Sequence, residues 1–125
     1  MKRDFISILD WTSKEIRNNL DYAVELKKET KLARCPKLLS GKTYGMFFQK
    51  PSLRTRLSFE VGIVQLGGTT VSLSEQDFKI GERESVSDVA RVMSRYLDGI
   101  LIRTFSHQLV LDLAKHATVP VINML

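Results

Sequence analysis

The chain has 125 residues, of which 43% are hydrophobic, and 19 Lys and Arg against 14 Asp and Glu give a formal net charge of +5. This length and composition suffice for one compact domain with its own core. The positive charge is spread along the chain and favours an anionic ligand, but no zinc-finger, RNP or basic-zipper pattern accompanies it, so nucleic acid is not the expected partner.

The cysteine content and the N-terminal sequence indicate the cellular compartment of the protein. Cys35 is the single cysteine and has no Cys or His at metal-ligand spacing, as is typical of a protein from a reducing compartment. The N-terminal MKRDFISILDW lacks the long apolar core and cleavage site of a signal peptide, and no apolar run approaches the roughly 20 residues that span a bilayer. We therefore expect a soluble, cytoplasmic protein that has no membrane partner.

The first predicted element is a long helix. Thr12 and Glu15 have the spacing of a capping box, and the helix is expected to reach about Leu32. Apolar residues then recur on one face of this helix: Ile16, Leu20, Ala23 and Val24. Breakers between positions 33 and 42 predict a loop that leads into a strand.

A strand, a helix and a second strand are predicted next. The β-rich run Thr43–Phe48 is the first strand, and Leu53–Leu66 has helical length before the stop at Gly67-Gly68. Thr69–Leu73 follows as a short strand. The polar segment Ser74–Glu84 is expected to be an exposed loop.

The last third of the chain continues the alternation. Ser85 and Asp88 have the spacing of a helix cap, Asp98–Arg103 is an apolar strand, His107–His116 is a helix opened by a serine, and Val119–Leu125 is a fourth strand. The helix after Ser85 has apolar or aromatic residues at helical spacing: Val86, Val89, Ala90, Met93, Tyr96 and Leu97. This order predicts an α/β fold, a doubly wound four-stranded parallel sheet with helices on both faces. The final strand has no covering helix, so we expect the chain to stop mid-fold.

Three polar clusters follow strands of the predicted sheet. They are KPSLRTR (Lys50–Arg56), the Ser74–Glu84 loop and Arg103-Thr104. Ligands bind beyond the carboxyl ends of the strands in open parallel sheets, so these clusters are expected to converge on one edge.

KPSLRTR has the features of an anion site. Ser52 lies at the expected N-cap, where the following backbone N–H groups and the helix dipole favour a negative charge. Arg54, Thr55 and the strand-end Arg103 add charged and hydroxyl donors suited to a phosphate. The alternative is an ordinary serine-capped helix with solvated arginines.

Several other patterns are interpreted as structural. GKT at Gly41–Thr43 precedes a strand, whereas a Walker motif follows one, so it is expected to be a turn. His107 and His116 have no evident catalytic partner. Two charged pairs, Asp88 with Arg91 and Glu82 with Arg83, are expected to be solvated.

FQKPSLRTRLSFEVGIVQLGG resembles the carbamoyl phosphate signature of the aspartate and ornithine carbamoyltransferases, Phe-x-Lys/Pro-x-Ser-Thr-Arg-Thr-Arg leading into Ser-Phe-Glu. IGERESVSDVARVMSRYLDGILIRTF and VPVIN follow the family in order and spacing, so the resemblance covers essentially residues 1–125. IRTF is closer to the ornithine enzymes, because the aspartate enzymes usually have Ile-Arg-His there.

The resemblance implies roles for individual residues. Ser52, Leu53, Arg54 and Thr55 match the segment that binds carbamoyl phosphate, and Arg103 matches the arginine that polarises it, so Arg54 and Arg103 are the expected catalytic residues. Leu53 replaces the usual threonine, which keeps the backbone N–H but removes a hydroxyl.

The resemblance also implies contacts outside the phosphate segment. Lys79 stands where the ornithine enzymes usually have glutamine, on a loop that reaches the neighbouring subunit's site in a homotrimer. Arg56 also matches the motif, although an ion pair with Glu60 one turn further on is an equal alternative. The family requires no metal or cofactor.

Residues 1–125 are thus expected to be the carbamoyl phosphate-binding domain of an enzyme that makes citrulline from ornithine, in arginine metabolism. The family's His-Pro-x-Gln segment and ornithine-binding domain would follow Leu125, so we expect this chain alone to be inactive. The alternatives are an anion-binding module without turnover, a carbamoyltransferase for aspartate or acylated ornithine, and a generic α/β interaction domain.

Overall fold

Alternating helices and parallel strands build the structure, a computed structural model that describes all 125 residues. The elements are a 3₁₀ helix at Ile8–Asp10, α1 Ser13–Lys31, β1 Thr43–Phe48, α2 Leu53–Gln65, β2 Thr69–Ser74, α3 Val86–Tyr96, β3 Gly99–Arg103, α4 His107–His116 and β4 Val121–Asn123. The short 3₁₀ helix was not predicted, although a Ser7–Asp10 capping box marks it.

The four strands form one parallel sheet in the order β2-β1-β3-β4. β1 lies between β2 and β3, and its last residue, Phe48, is opposite Ser74 of β2 and Arg103 of β3. The three strands therefore end side by side, which brings the predicted polar clusters to one edge of the sheet.

Both faces of the sheet are covered by helices. On one face α3 and α4 pack against the strands, burying a larger cluster that includes Phe47, Val89, Met93, Ile100, Ile102, Val110, Leu113 and Val121. On the other face α2 covers a smaller cluster of Met46, Ile63, Leu101 and Met124. Neighbouring strand residues alternate between the two clusters, as side chains on a strand must. The predicted doubly wound α/β fold is confirmed.

The last strand is shorter than predicted, and an N-terminal segment lies beside it. β4 covers only Val121–Asn123, and the Phe5 N–H donates to the Val121 carbonyl at 2.9 Å while the Asn123 N–H donates to the Phe5 carbonyl at 2.8 Å. The Asp4 carboxylate accepts the Val121 N–H at 2.8 Å. This segment therefore protects the edge of β4, which an unpaired strand would leave open to association.

Helix α1 is correctly predicted but packs less than its pattern implied. The capping box is present, and the N–H of Thr12 together with the Arg3 guanidinium lowers the pKa of Glu15 to about 2. However, no residue of α1 is buried, and Leu20 and Val24 are 63% and 66% exposed. Neither α1 nor any other helix is both long and apolar enough to cross a membrane.

Two details of exposure differ from the expectation. The 74–84 loop is exposed over most of its residues, as predicted, but Phe78 and Ile80 are half-buried against the larger cluster, and the Phe78 ring lies 5.2 Å from that of Phe47. Tyr96, which the helical spacing placed with the core residues of α3, is 81% exposed.

The amino ends of β1 and β3 are tied together by a charged pair. The Asp98 carboxylate accepts the Thr43 N–H at 2.9 Å and the Lys42 ammonium at 3.0 Å. These bonds lower the pKa of Asp98, and its carboxylate in turn raises the pKa of Lys42. Burial, followed by the Asp98 charge, raises the pKa of Tyr44. Each charge at this edge therefore has a partner within the chain.

Candidate functional site

The site lies where α2 begins, beyond the carboxyl end of β1. Ser52 is the N-cap residue, with an extended backbone (φ −157°, ψ 110°), but its side chain makes no bond to an α2 N–H. Its hydroxyl instead donates to Thr55 Oγ1 at 2.9 Å. The alternative of an ordinary serine-capped helix is therefore wrong in its geometry.

This geometry leaves the first amides of α2 without partners. The N–H of Arg56 is the first to bond within the helix, to the Ser52 carbonyl at 3.0 Å, whereas those of Leu53, Arg54 and Thr55 have no acceptor in the chain. Free N–H groups at a helix N-terminus, reinforced by the helix dipole, are an anion-binding arrangement.

Arg103 joins this N-terminus from the neighbouring strand. Its Nη1 donates to Met124 O at 3.0 Å and lies 3.4 Å from Thr55 Oγ1. Its Nε is buried without a hydrogen-bond partner. A buried donor without a partner is costly, so Arg103 carries an unsatisfied polar atom at this edge of the sheet.

The Thr55 hydroxyl is oriented by its two neighbours. Its oxygen accepts from both Ser52 Oγ and Arg103 Nη1, and a hydroxyl has two acceptor lone pairs and one proton. With both lone pairs occupied, the proton of Thr55 is left to donate to a ligand. Ser52, Thr55 and Arg103 are thus one hydrogen-bonded donor group at the edge of the sheet.

The two arginines inside KPSLRTR differ in their partners. Arg56 Nε pairs with Glu60 at 3.3 Å, which confirms the predicted ion pair. Arg54 is exposed, and its guanidinium has no hydrogen bond or ion pair. Leu53 beside it is 74% exposed, so its side chain contributes no packing at the N-terminus of α2. Arg54 is therefore the arginine of this segment with an uncommitted charge.

An open cleft of about 600 Å³ borders this N-terminus on the β2 side. Ser52, Leu53 and Arg56 line one wall, and the residues that follow β2, Ser74 to Asp77, line the other. Arg54, Thr55 and Arg103 are not among its lining residues, so the donor group lies beside this cleft.

Other candidates lie outside the donor group. Lys79 is exposed and pairs with Glu82 at 3.5 Å, and Asp88 pairs with Arg91 at 3.5 Å. The charged residues Glu82, Arg83, Asp88 and Arg91 are all exposed, as expected. Gly41 is in a turn with φ of 74°, as predicted for GKT. The two histidines begin and end α4, and no group of three or more His, Cys, Asp or Glu side chains could hold a metal ion.

Comparison with known proteins assigns the family. Residues 3–125 match the family model of the aspartate/ornithine carbamoyltransferase carbamoyl-P binding domain. The chain belongs to this family. It is 54% identical over 121 residues to an ornithine carbamoyltransferase of Symbiobacterium thermophilum and 51% identical over 121 residues to one of Anoxybacillus flavithermus.

Solved structures agree with this carbamoyltransferase assignment. The chain matches the ornithine carbamoyltransferase of Pyrococcus furiosus with a TM-score of 0.94 and 48% identity, covering 97% of this chain and 39% of that one. The catalytic subunit of the M. jannaschii aspartate transcarbamoylase matches with a TM-score of 0.86 and 35% identity, over 98% of this chain and 40% of that one. Each match to these two curated relatives includes 97% of this chain but only 39% and 38% of the relative. The chain therefore spans well under half of their length.

One residue of this carbamoyltransferase domain, Gln49, was not predicted to have a role at the site. Its side-chain oxygen accepts the Phe105 N–H at 3.0 Å, and its Nε2 donates to Glu75 at 2.9 Å. Its own N–H donates to the Arg103 carbonyl at 2.9 Å. The only available signal was its place directly after β1, since these partners are distant in the chain.

Proposed function

We propose that this chain is the carbamoyl phosphate-binding domain of an ornithine carbamoyltransferase, an enzyme of arginine metabolism. The observation that carries the proposal is the approach of Arg103 to Thr55, 3.4 Å between Nη1 and Oγ1, beside three free helix amides. This arrangement presents charged, hydroxyl and backbone donors to one small anion. Relatives named ornithine carbamoyltransferase support the choice of reaction.

The phosphate of the substrate is assigned to the N-terminus of α2. The N–H groups of Leu53, Arg54 and Thr55 would bind its oxygens, with the hydroxyls of Ser52 and Thr55 and the uncommitted Arg54 guanidinium around them. Leu53 would act through its backbone N–H alone. Arg103 comes from β3 and not from α2, and we assign it to a different part of the ligand, the carbamoyl oxygen.

The reaction needs charge stabilisation more than proton transfer from these residues. The uncharged δ-amino group of ornithine attacks the carbonyl carbon, a C–N bond forms, and the C–O bond to phosphate breaks as the nitrogen loses a proton to solvent or base. Negative charge moves onto the carbonyl oxygen and then onto the departing phosphate. Arg103 and Arg54 would stabilise it, each well-placed donor lowering the barrier by about 3 to 4 kcal/mol.

The rest of the site is assigned to groups outside this single domain. An ornithine-binding domain would supply the amine, and Lys79 of a neighbouring subunit in a homotrimer would approach the phosphate. Lys79 is exposed and bonded only to Glu82, which is compatible with such a role. A trimer mass in solution, measured by light scattering, is the expected result for the assembled protein.

Ornithine is favoured over other acceptors on similarity. The first relatives are named ornithine carbamoyltransferase, at 54% and 51% identity, whereas the aspartate transcarbamoylase structure is 35% identical. Aspartate and acylated ornithine are the competing acceptors, and a citrulline assay against the corresponding products distinguishes them.

Calorimetry with carbamoyl phosphate tests the anion site directly. Arg54→Ala should weaken binding by about 10-fold to 100-fold, because a hydrogen bond to a charged group contributes about 1.5 to 3 kcal/mol. Arg56→Ala is the matched control, since that guanidinium is already paired with Glu60 and its loss should leave affinity nearly unchanged. No heat with carbamoyl phosphate or phosphate, or equal effects of the two variants, would refute the site.

Turnover is tested separately. If this polypeptide forms citrulline, it is not an anion-binding module without activity. If it binds carbamoyl phosphate but does not turn it over, catalysis requires groups from outside residues 1–125.

A further inference from the structure

We propose that Gln49 is a positioning residue that holds the loops after β1, β2 and β3 in register, and that its bond to Glu75 keeps the anion site in its binding geometry. The proposal rests on the proposed function, because the geometry it maintains is that of the phosphate donors.

Gln49 is bonded to all three loops at once. Its backbone N–H donates to the Arg103 carbonyl at 2.9 Å, and its side-chain oxygen accepts the Phe105 N–H at 3.0 Å, so it bonds to the chain on both sides of Thr104. Its Nε2 donates to Glu75 Oε1 at 2.9 Å.

These bonds act on the donor group through the chain. Gln49 is three residues before Ser52, and its bonds to Arg103 and Phe105 fix the end of β1 against the residue whose guanidinium reaches Thr55. The Lys50 ammonium over the Phe105 ring, 5.8 Å from its centroid, adds a second link between the same two loops. The Gln49 carboxamide therefore adds to the backbone bonds that hold the α2 N-terminus and Arg103 at their distance.

Glu75 can affect anion binding in two ways, through its negative charge and through its hydrogen bond to Gln49. It is an exposed carboxylate near a site for anions, so its charge alone opposes anion binding. Its hydrogen bond to Gln49 Nε2, in contrast, fixes which way the carboxamide faces and hence which atom meets the Phe105 N–H. The two effects predict opposite results when the carboxylate is removed.

The test measures inorganic phosphate and carbamoyl phosphate binding by calorimetry. If Glu75 acts through Gln49, Glu75→Ala weakens phosphate binding by about threefold to tenfold, the range that one hydrogen bond of ordinary net strength supports. If the charge dominates, the same variant binds phosphate more tightly. Gln49→Glu, which sets two carboxylates against each other, should weaken binding further.

A reciprocal exchange tests whether the bond itself matters. In the double variant Gln49→Glu with Glu75→Gln, the new amide at position 75 can donate to the new carboxylate, which can still accept the Phe105 N–H. The pair keeps its net charge, so affinity should return to within about twofold of the original chain, a coupling that a double-mutant cycle resolves. A merely local loss of structure would not be rescued by this exchange.

Gln108→Ala is the matched control, because Gln108 makes a similar exposed bond to Asp112 at 2.9 Å, on α4. It should leave phosphate affinity unchanged, and circular dichroism should show all variants folded. Tighter or equal binding by Glu75→Ala, or a double variant as weak as Gln49→Glu, would overturn the positioning role alone. Absence of phosphate binding by the unaltered chain would overturn the proposed anion site together with it.

Discussion

The polar groups at the two ends of the sheet differ in whether they have partners within the chain. At the amino end, Asp98 accepts both the Thr43 N–H and the Lys42 ammonium, so the donors and the charge there satisfy one another. At the carboxyl end, the Arg103 Nε is buried without a partner, and the amides that open α2 have no acceptor in the chain. At the amino end these polar groups are paired, whereas the carboxyl end has hydrogen-bond donors without acceptors.

This difference separates groups that hold the fold from groups that are free to bind. A charged pair that is closed within the chain can stabilise the structure but has little left to offer a ligand. Unpaired donors do the reverse, since they lower stability until an acceptor arrives. Changes at the amino end should therefore affect unfolding and leave anion binding intact, and changes at the carboxyl end should do the opposite.

The largest expected effect is at Arg103. Arg103→Leu should reduce carbamoyl phosphate affinity by about 10-fold to 100-fold, from the loss of charge-assisted hydrogen bonds. The melting temperature should change little, because the lost bond to Met124 O is offset by removal of an unpaired buried nitrogen. Calorimetry and thermal unfolding measure the two quantities.

Arg103→Lys serves as the control for charge. It keeps the charge but not the forked geometry of the guanidinium, so it should recover only part of the affinity. If Arg103→Leu binds carbamoyl phosphate as well as the original chain does, the unpaired donors at the carboxyl end of the sheet are not the groups that bind the anion.

An intermediate effect, on stability alone, is expected at Gly99. A Cβ added there would lie 2.8 Å from the Tyr44 ring, the cross-strand neighbour of this glycine. Gly99→Ala should therefore lower the free energy of unfolding by about 1 to 3 kcal/mol, as overpacking does, while phosphate affinity is unchanged. Denaturant unfolding measures the cost.

Gly62→Ala is the matched variant on α2, where a new Cβ meets nothing within 4 Å. It should raise stability by about 0.5 to 1 kcal/mol, since alanine is the better helix former. A destabilised Gly62→Ala, or an unaffected Gly99→Ala, would contradict the packing described for these positions.

The smallest effect is expected at Asp98, whose pair with Lys42 faces solvent. Because the folded state lowers the pKa of Asp98 below its ordinary value of 3.8, its ionised form stabilises the fold above that pH. The contribution is lost as the pH falls through the lower, folded-state value. Asp98→Asn should thus lower the melting temperature at neutral pH, and the difference from the original chain should shrink under acid conditions. A difference that grows on acidification would contradict this sign.

Much of the fold could be predicted because its signals are local. Thr12 with Glu15, Ser85 with Asp88 and Ser106 mark helix starts that the structure confirms, because a capping residue acts on amides within its own turn. The exposure of Leu20 and the pairing of Phe5 with β4 could not be predicted. Both depend on which surfaces meet in space, and an apolar pattern does not say whether a partner surface is present in the chain.

Some features of the candidate site could also be predicted from the sequence, and others could not. Ser52, Thr55 and Arg103 could be placed at one edge because parallel strands end together. The bond from Ser52 to Thr55 in place of a cap, and the bridge made by Gln49, depend on side-chain directions that residue types alone do not determine. The sequence left two alternatives for Arg56, ligand contact or an ion pair with Glu60, and the structure shows the ion pair.

The N-terminal segment beside β4 has a consequence for the order in which the chain can fold. Asp4 and Val121 are bonded across 117 residues, so the N-terminal segment cannot pair until β4 has been made. Until then, the segment has no strand to protect and β3 has an open edge. The segment is therefore added to this sheet only after all four of its strands have been synthesised.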